Sequence, residues 1–456
     1  MLGEESARRL ETSGLEVTGR VVGPLITCAS LLAPLVSAGA PGSAQPPSEG
    51  EEEELPAIQL SGAGVELLRV AIPRAQGGGA DTSRLAVDTM SKDMDITGFF
   101  QILDPGSFPA GLLAEGLNCS TALWTQVGAQ VVIKVGVTGD VLEGRLYLID
   151  RGDDAVFRKS YHVADMRDAV HTLANDVVHW FTGQDGIFGS RIAFALTGRS
   201  AREIGVVDAD GERMVVVTHM GAVSLLPAYS PTGREIAFTS YLHNNPDLWL
   251  VPARGGPARC VSNEPGLNTG AAWSPDGRSI ALTMSYQGNC EIYRIDSDNG
   301  RVEARLTKNP AIDSSATFSP DGSQIAFVSD RQGSPQIFVM PTSGDGGAKR
   351  VTFQGRYNQT PRWNPRSDKV QIAFAGRDEH GVFDIYVLDP RTSKVDRVTE
   401  GKGSNLDPTW SPDGRLLAYV SSRGGIYVNN PATHHEVQVW RGSAASPSWG
   451  PMMPQK

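Results

Sequence analysis

An α/β N-terminal domain followed by an all-β, six-bladed β-propeller closed by the C-terminal strand is the fold class this sequence predicts, on three observations. A turn motif recurs as Tyr229-Ser230-Pro231-Thr232-Gly233, Trp273-Ser274-Pro275-Asp276-Gly277, Phe318-Ser319-Pro320-Asp321-Gly322, Trp363-Asn364-Pro365-Arg366-Ser367 and Trp410-Ser411-Pro412-Asp413-Gly414. A truncated copy, Trp449-Gly450-Pro451, follows, and the aromatic residues are spaced by 44, 45, 45, 47 and 39. An apolar triplet centred on alanine repeats beside it, at Ala193, Ala237, Ala281, Ala326, Ala373 and Ala418, spaced by 44, 44, 45, 47 and 45. Self-similarity at this period marks propeller blades.

Composition sets the outer limits. The chain has 456 residues, 40% of them hydrophobic, with Gly 51 and Pro 29, which suits several domains rich in turns. A net charge of −10 argues against a nucleic-acid groove. Cys28 lies in the apolar leader, so Cys119, Cys260 and Cys290 remain. That odd number makes no disulfide framework and reads as small buried or half-buried thiols.

Residues 1–44 read as a signal peptide. Arg8, Arg9 and Arg20 precede an uncharged apolar run from Val21 to Ala40, and Gly42-Ser43-Ala44 before Gln45 offers a cleavage site. A membrane anchor is the alternative, and Pro24 and Pro34 argue against it. Residues 45–57 are Pro-rich and then acidic, the composition of a flexible mature N-terminus.

From 58 to 186 the pattern is mixed α/β. Strands are expected over 65–72, 99–103, 130–137, 145–150 and 156–162. Leu85, Ala86, Met90 and Met94 recur at helical spacing after an N-cap at Thr82. Asp165 caps a second helix whose apolar face carries Ala169, Val170, Leu173, Val177, Val178 and Phe181. His171, Asn175 and His179 then read as a solvated face, since two histidines without a third ligand make a weak metal signal.

The propeller is expected over 187–456. Each unit reads as four strands, and alanine at the same place in every second strand implies sheets packing closely there. The first unit lacks a first strand, and the leftover copy ending at Trp449 is a first strand without a unit. Their pairing closes the ring and hides its edges.

Tracing four antiparallel strands puts the Ser-Pro-Asp-Gly turns on one face. The loops entering each first strand, and those joining second to third strands, lie on the other. Ser224, Asn268, Asp313, Asn358, Asn405 and Ala444 stand five residues before the aromatics and are expected to ring one mouth of the channel; turn chemistry accounts for Asn and Asp there equally well. Ser224, Asn268, Asp313, Asn358 and Asn405, with Tyr241, His243, Tyr286 and Phe383 on long loops, form the predicted partner-binding surface. Asp313→Arg is expected to weaken the partner without unfolding the ring.

Signals for catalysis are absent from the sequence. There is no G-x-S-x-G elbow, phosphate loop or dinucleotide fingerprint. His219, His243, His380, His434 and His435 occupy unrelated blade positions. No catalytic residue, metal or cofactor is predicted; a metal-dependent hydrolase or lyase using the channel is the alternative.

The junction Phe181-Thr182-Gly183, then Gly186-Ile187-Phe188-Gly189-Ser190-Arg191-Ile192-Ala193-Phe194, is more specific than the repeat. With the order of leader, α/β domain and six-unit propeller, it resembles the TolB family of the periplasmic Tol-Pal system over nearly all of the mature chain. The resemblance implies a non-enzymatic, monomeric periplasmic scaffold without a membrane span in its mature form. It implies a bridge between the peptidoglycan-associated lipoprotein Pal, received on the propeller face, and inner-membrane TolA, engaged by the mature N-terminus. Support of envelope integrity and cell division follows from the same resemblance, with other outer-membrane proteins as further partners. Two features depart from the pattern: the acidic run Glu51 to Glu54, and Arg366-Ser367 in place of the turn glycine, which makes that hairpin irregular.

Overall fold

Residues 66–197, 202–344 and 346–453 are described by the computed structural model. The predicted signal peptide and acidic segment, residues 1–57, lie outside the described residues.

Alternation and helical spacing resolve the first part of the chain into ten elements. They are β1 (Leu68–Ala71), β2 (Gln76–Gly77), α1 (Ala80–Ile96), β3 (Phe100–Ile102), α2 (Ala110–Leu113), α3 (Thr121–Gln126), β4 (Val131–Thr138), β5 (Val141–Leu148), β6 (Phe157–His162) and α4 (Met166–Thr182). The sheet runs β3-β1-β4-β5-β6, with β2 beside β4. β1 is parallel to both neighbours, whereas β4, β5 and β6 form an antiparallel meander. The apolar stripes of α1 and α4 pack on one sheet face, where Met90, Met94, Leu173 and Phe181 meet Ile133 and Val135. On the other face Trp124 packs with Phe108, Leu112, Cys119 and Tyr147. Burial there pushes the Cys119 thiol up to about 12, so this cysteine is an inert core residue. α2 and α3 are absent from the sequence expectation because helices of four and six residues carry too little periodicity to read.

Helix ends follow local chemistry. The Asp165 carboxylate accepts from the Asp168 N–H at 3.1 Å, capping α4 as expected. Gly183, at φ +65°, ends it in the left-handed conformation. α1 begins after Gly79 without a side-chain cap, three residues earlier than the Thr82 signal placed it.

Six four-stranded sheets follow. Blade 1 joins Ala444–Trp449 to Arg191–Leu196, Ile204–Asp208 and Val215–Val216; blades 2 to 6 span 224–262, 268–305, 313–350, 358–397 and 405–440. The last strand pairs antiparallel with Arg191–Leu196, setting Trp449 opposite Ile192. The Trp449 indole donates to Ser190 Oγ at 2.9 Å, across 259 residues of chain. All six repeat alanines are fully buried.

The turn motif is a locked hairpin. Ser274 Oγ donates to Asp276 at 2.6 Å and accepts from the Ser279 N–H, while Asp276 accepts from the Arg278 N–H. Gly277 takes φ +72°, which a side chain there would strain. In blade 5, which lacks that glycine, the connection lengthens to 364–371, against 274–278 in blade 3. This matches the expected irregularity.

The α/β domain docks on the turn face, against blades 1 and 6. Asn430 and Thr433 donate to the Thr97 and Gly98 carbonyls, and Arg415 donates to Thr182 Oγ1 and the Asp185 carbonyl. His435 bonds Asp95, and Lys92 pairs with Glu212. One expectation is corrected here. His171 is buried rather than solvated, because the fold brings sequence-remote acids to it: Asp93 of α1 lies 2.7 Å from Nδ1, and Asp210 of blade 1 lies 3.8 Å from Nε2. Arg167 binds the same Asp210 carboxylate. Asn175 is likewise engaged, bonding the Phe188 backbone at both its N–H and its carbonyl. His179 keeps a half-exposed side chain, beside Asp185.

This clasp makes stability depend on pH with a definite sign. Burial pushes the His171 imidazole down, but the Asp93 and Asp210 carboxylates outweigh it and hold its pKa above the ordinary histidine value. Burial lifts the Asp93 carboxyl to about 6. Both groups bind protons more tightly in the folded chain, so their contribution is present in acid and fades as pH rises through those values. The Asp93→Asn, His171→Gln double variant removes both titrations while keeping neutral hydrogen-bonding groups. The difference in melting temperature between the native chain and this variant should shift in the native chain's favour from about pH 8 to about pH 5.5. A difference that is flat, or that moves the other way, would contradict the assignment.

Candidate functional site

The face opposite the α/β domain carries the loops that enter first strands and those that join second to third strands. Its innermost residues are the five polar positions expected to contact a partner. Each of Ser224, Asn268, Asp313, Asn358 and Asn405 begins a first strand, and each is at most 1% exposed. That expectation is corrected: these side chains are buried and do not present to solvent, and Asn268, Asn358 and Asn405 bond to the preceding blade.

Their partners explain why. The third strands of blades 2 to 5 carry a buried polar residue at the equivalent place, the first of the strand in blades 2 to 4 and the second in blade 5: Asp247, Glu291, Gln336 and Asp384. Gln336 Oε1 accepts from Thr352 Oγ1 at 2.8 Å and, across the blade boundary, from Asn358 Nδ2 at 2.8 Å. Asp384 accepts from Thr399 and, at 3.5 Å, from Asn405 of blade 6. Asn268 accepts from Ser262 of the preceding blade at 2.8 Å and donates to the Glu264 and Gly266 carbonyls. Asp313 is held by Arg331 at 2.7 Å. Burial raises the Asp313 carboxyl above the usual carboxylate value, against the opposing pull of Ser329 and Arg331. Buried polar groups with these partners fix the spacing of the blades.

Just beyond each fastener the first strand bulges. The third residue is left-handed in every blade: Gly270 at φ +67°, and Leu226, Ser315, Thr360, Asp407 and Ser446 at φ between 49° and 55°. The ladder register shifts at the same place in all six. The bulge turns the strand toward the axis, where a channel cavity of about 380 Å³ opens. Pro231, Pro275, Pro320, Pro365, Pro412 and Pro451, one from each blade, line it on the turn side. Arg362 is its one charged lining residue among those described, and it donates to the Pro361 carbonyl at 3.0 Å.

Side chains that could hold a metal meet elsewhere. Asp93, His171 and Asp210 bring their donor atoms within 4.8 Å of one another. Arg167 already supplies a cation at Asp210, and Asp93 occupies His171 Nδ1. The group is therefore charge-balanced as a clasp between domains.

The exposed part of the loop face carries large apolar side chains among its charged ones. Of the predicted contacts, Tyr241 and His243 are exposed. Tyr286 is half-buried on Tyr293, with ring centroids 5.3 Å apart, and Phe383 is half-buried against Tyr357 at 5.8 Å. Four neighbours escaped the sequence reading: Leu242, Ile312, Phe353 and Tyr357 are all exposed, Phe353 at 67% and Ile312 at 51%. The legible signal for Ile312, Phe353 and Tyr357 was a large apolar residue in a loop between a fourth strand and the next first strand, and for Leu242 its place beside Tyr241.

Comparison with known proteins is consistent along the chain. The family model for the TolB beta propeller domain matches residues 178–453, and that for the TolB amino-terminal domain matches 56–151. The Tol-Pal system protein TolB of Myxococcus xanthus (strain DK1622) is 38% identical over 354 residues, covering 75% of this chain and 80% of that protein. Its namesake from Anaeromyxobacter dehalogenans (strain 2CP-C) is 37% identical over 236 residues, 49% of this chain and 52% of the relative. The crystal structure of TolB from Acinetobacter baumannii superposes with a TM-score of 0.73 at 25% identity, covering 85% of this chain and 97% of the other.

The buried setting of Asp313 reverses the expectation attached to it. Asp313→Arg places a second guanidinium against Arg331 inside the blade, and breaking such a buried pair costs roughly 3–5 kcal/mol. Chemical denaturation should show that loss directly; an unchanged midpoint would return Asp313 to the surface.

Proposed function

The chain belongs to the TolB family, and from that premise we propose that it is a non-enzymatic periplasmic scaffold of the Tol-Pal system. Its loop face receives the peptidoglycan-associated lipoprotein Pal, and its mature N-terminal segment engages inner-membrane TolA. Through that bridge it supports outer-membrane integrity and cell division. The observation that carries this reading is the set of exposed apolar residues on loops of this face, Tyr241 and Leu242, Ile312, and Phe353 and Tyr357, with the α/β domain docked on the opposite face. Aromatic side chains on rigid loops are the usual anchors of protein recognition. Beneath them the buried fasteners hold the loops in place, so the surface is formed before a partner arrives. Among the described residues no helix is long and apolar enough to cross a membrane.

Binding of the purified lipoprotein, measured by calorimetry, tests the reading. Phe353→Asp puts a charge on the patch without touching the core and should weaken binding at least about tenfold. Arg278→Ala, in a turn on the opposite face, should leave it unchanged. Absence of binding by the native chain, or equal loss in both variants, would overturn the assignment of this face.

A further inference from the structure

Five blades carry an aromatic residue at the same place on the third strand: Trp249, Tyr293, Phe338, Tyr386 and Tyr427. In four of them a side chain from the adjacent second-to-third loop lies against that ring. His243 is 5.3 Å from Trp249, and Tyr286 is 5.3 Å from Tyr293. Arg331 stands 5.0 Å over Phe338, and Arg423 stands 3.9 Å over Tyr427. Those four rings are buried, whereas Tyr386 is half-exposed. Blade 5 lacks this loop cover because the corresponding loop residue is Asp378; its ring has only Arg397 of the fourth strand, 6.0 Å from the centroid, and Phe374 beside it. The Asp378 carboxylate accepts from the His380 and Val382 N–H groups and from Arg397, so it braces its own loop. A cavity of about 770 Å³ remains over the ring. Phe374, stacked on Tyr386 at 5.5 Å, forms the floor with it, and Asp378 and Glu379 stand on the wall.

We propose that this cavity takes an arginine side chain from a protein partner, supplying in trans the cover that the other blades supply in cis. The chemistry of the occupant is read from the sibling blades. Two of the four covers are guanidinium groups, each also paired with an acid, Arg331 with Asp313 and Arg423 with Glu436. A planar cation stacks on an aromatic face and bonds a carboxylate at its edge, which lysine does less well. Glu379 is the exposed carboxylate placed for that edge. Arg377, on the same wall, is occupied by the Gly381 carbonyl at 3.1 Å. Arg356 also lines the cavity and is exposed, so an internal cover by Arg356 is the competing outcome.

This inference deepens the scaffold reading, since it rests on the loop face receiving a protein, but its test is separate. N-acetyl-arginine amide, with its lysine and alanine counterparts, is titrated into the full chain carrying fluorotyrosine. The Tyr386 resonance is assigned from Tyr386→Phe. The arginine probe should shift that resonance saturably and bind on the order of fivefold more tightly than the lysine probe. Glu379→Lys, on an exposed loop, and Tyr386→Leu should each abolish most of the response. Equal responses to all three probes, insensitivity to Glu379→Lys, or binding that emerges only in Arg356→Ala would overturn the proposal. Binding of the arginine probe with no binding of the purified lipoprotein would sink the scaffold reading alone; the reverse result would sink this inference alone.

Discussion

Two-sided burial at the alanine line is the constraint on which the propeller depends. Each second strand is covered on both faces by neighbouring blades, and its alanine lets the sheets approach. No blade can satisfy this alone, so each is stable only as a member of a closed set. The pairing of Ala444–Trp449 with Arg191–Leu196 completes the set, and the interblade hydrogen bonds from Asn358 and Asn405 keep the spacing. The bulges then fall in the same place in every blade, and the channel acquires its lining as a by-product of ring geometry.

Function lies on the part of the molecule that this packing leaves over. The turn motif, strongest in the sequence, is consumed by structure: its serine, aspartate and glycine lock a hairpin, and its prolines line the channel. The turn face also holds the α/β domain, through polar and charged contacts and through an apolar cluster that runs from Phe99, Val178 and Phe181 to Phe188, Leu416 and Val428. The opposite face combines a rigid polar frame with large apolar side chains left exposed to solvent.

Most of the fold was legible because repetition averages out local ambiguity. A single Ile-Ala-Phe triplet says little, but six at one period identify the second strand of every blade, and a first strand without a unit identifies the closure. The site was legible by position and misread by role. Asn and Asp before a first strand mark the mouth of the ring, yet a one-dimensional pattern cannot separate a residue facing solvent from one facing the next blade. His171 was misread for the same reason, since Asp93 and Asp210 are remote in sequence and both arrive by tertiary packing. Phe353 and Ile312 were missed because repeat analysis rewards what recurs, and these residues do not recur. The missing loop cover at Tyr386 could be found only by comparing what covers the equivalent ring in each sibling.

Closure by the last strand also governs when the fold can exist. The bond from Trp449 to Ser190 spans 259 residues, so the ring cannot be completed until nearly the whole propeller has been delivered. Until then, Arg191–Leu196 and the first strand of blade 2 lack the neighbour that covers them, and strand edges in that state invite pairing with other chains. Contacts of such high sequence separation form slowly, because loop closure must be completed before its contacts contribute. The chain therefore emerges with a vulnerable interval built into its topology. The compartment where it folds must shelter the waiting edge, or delivery of the final strand must outpace collisions between unfinished rings.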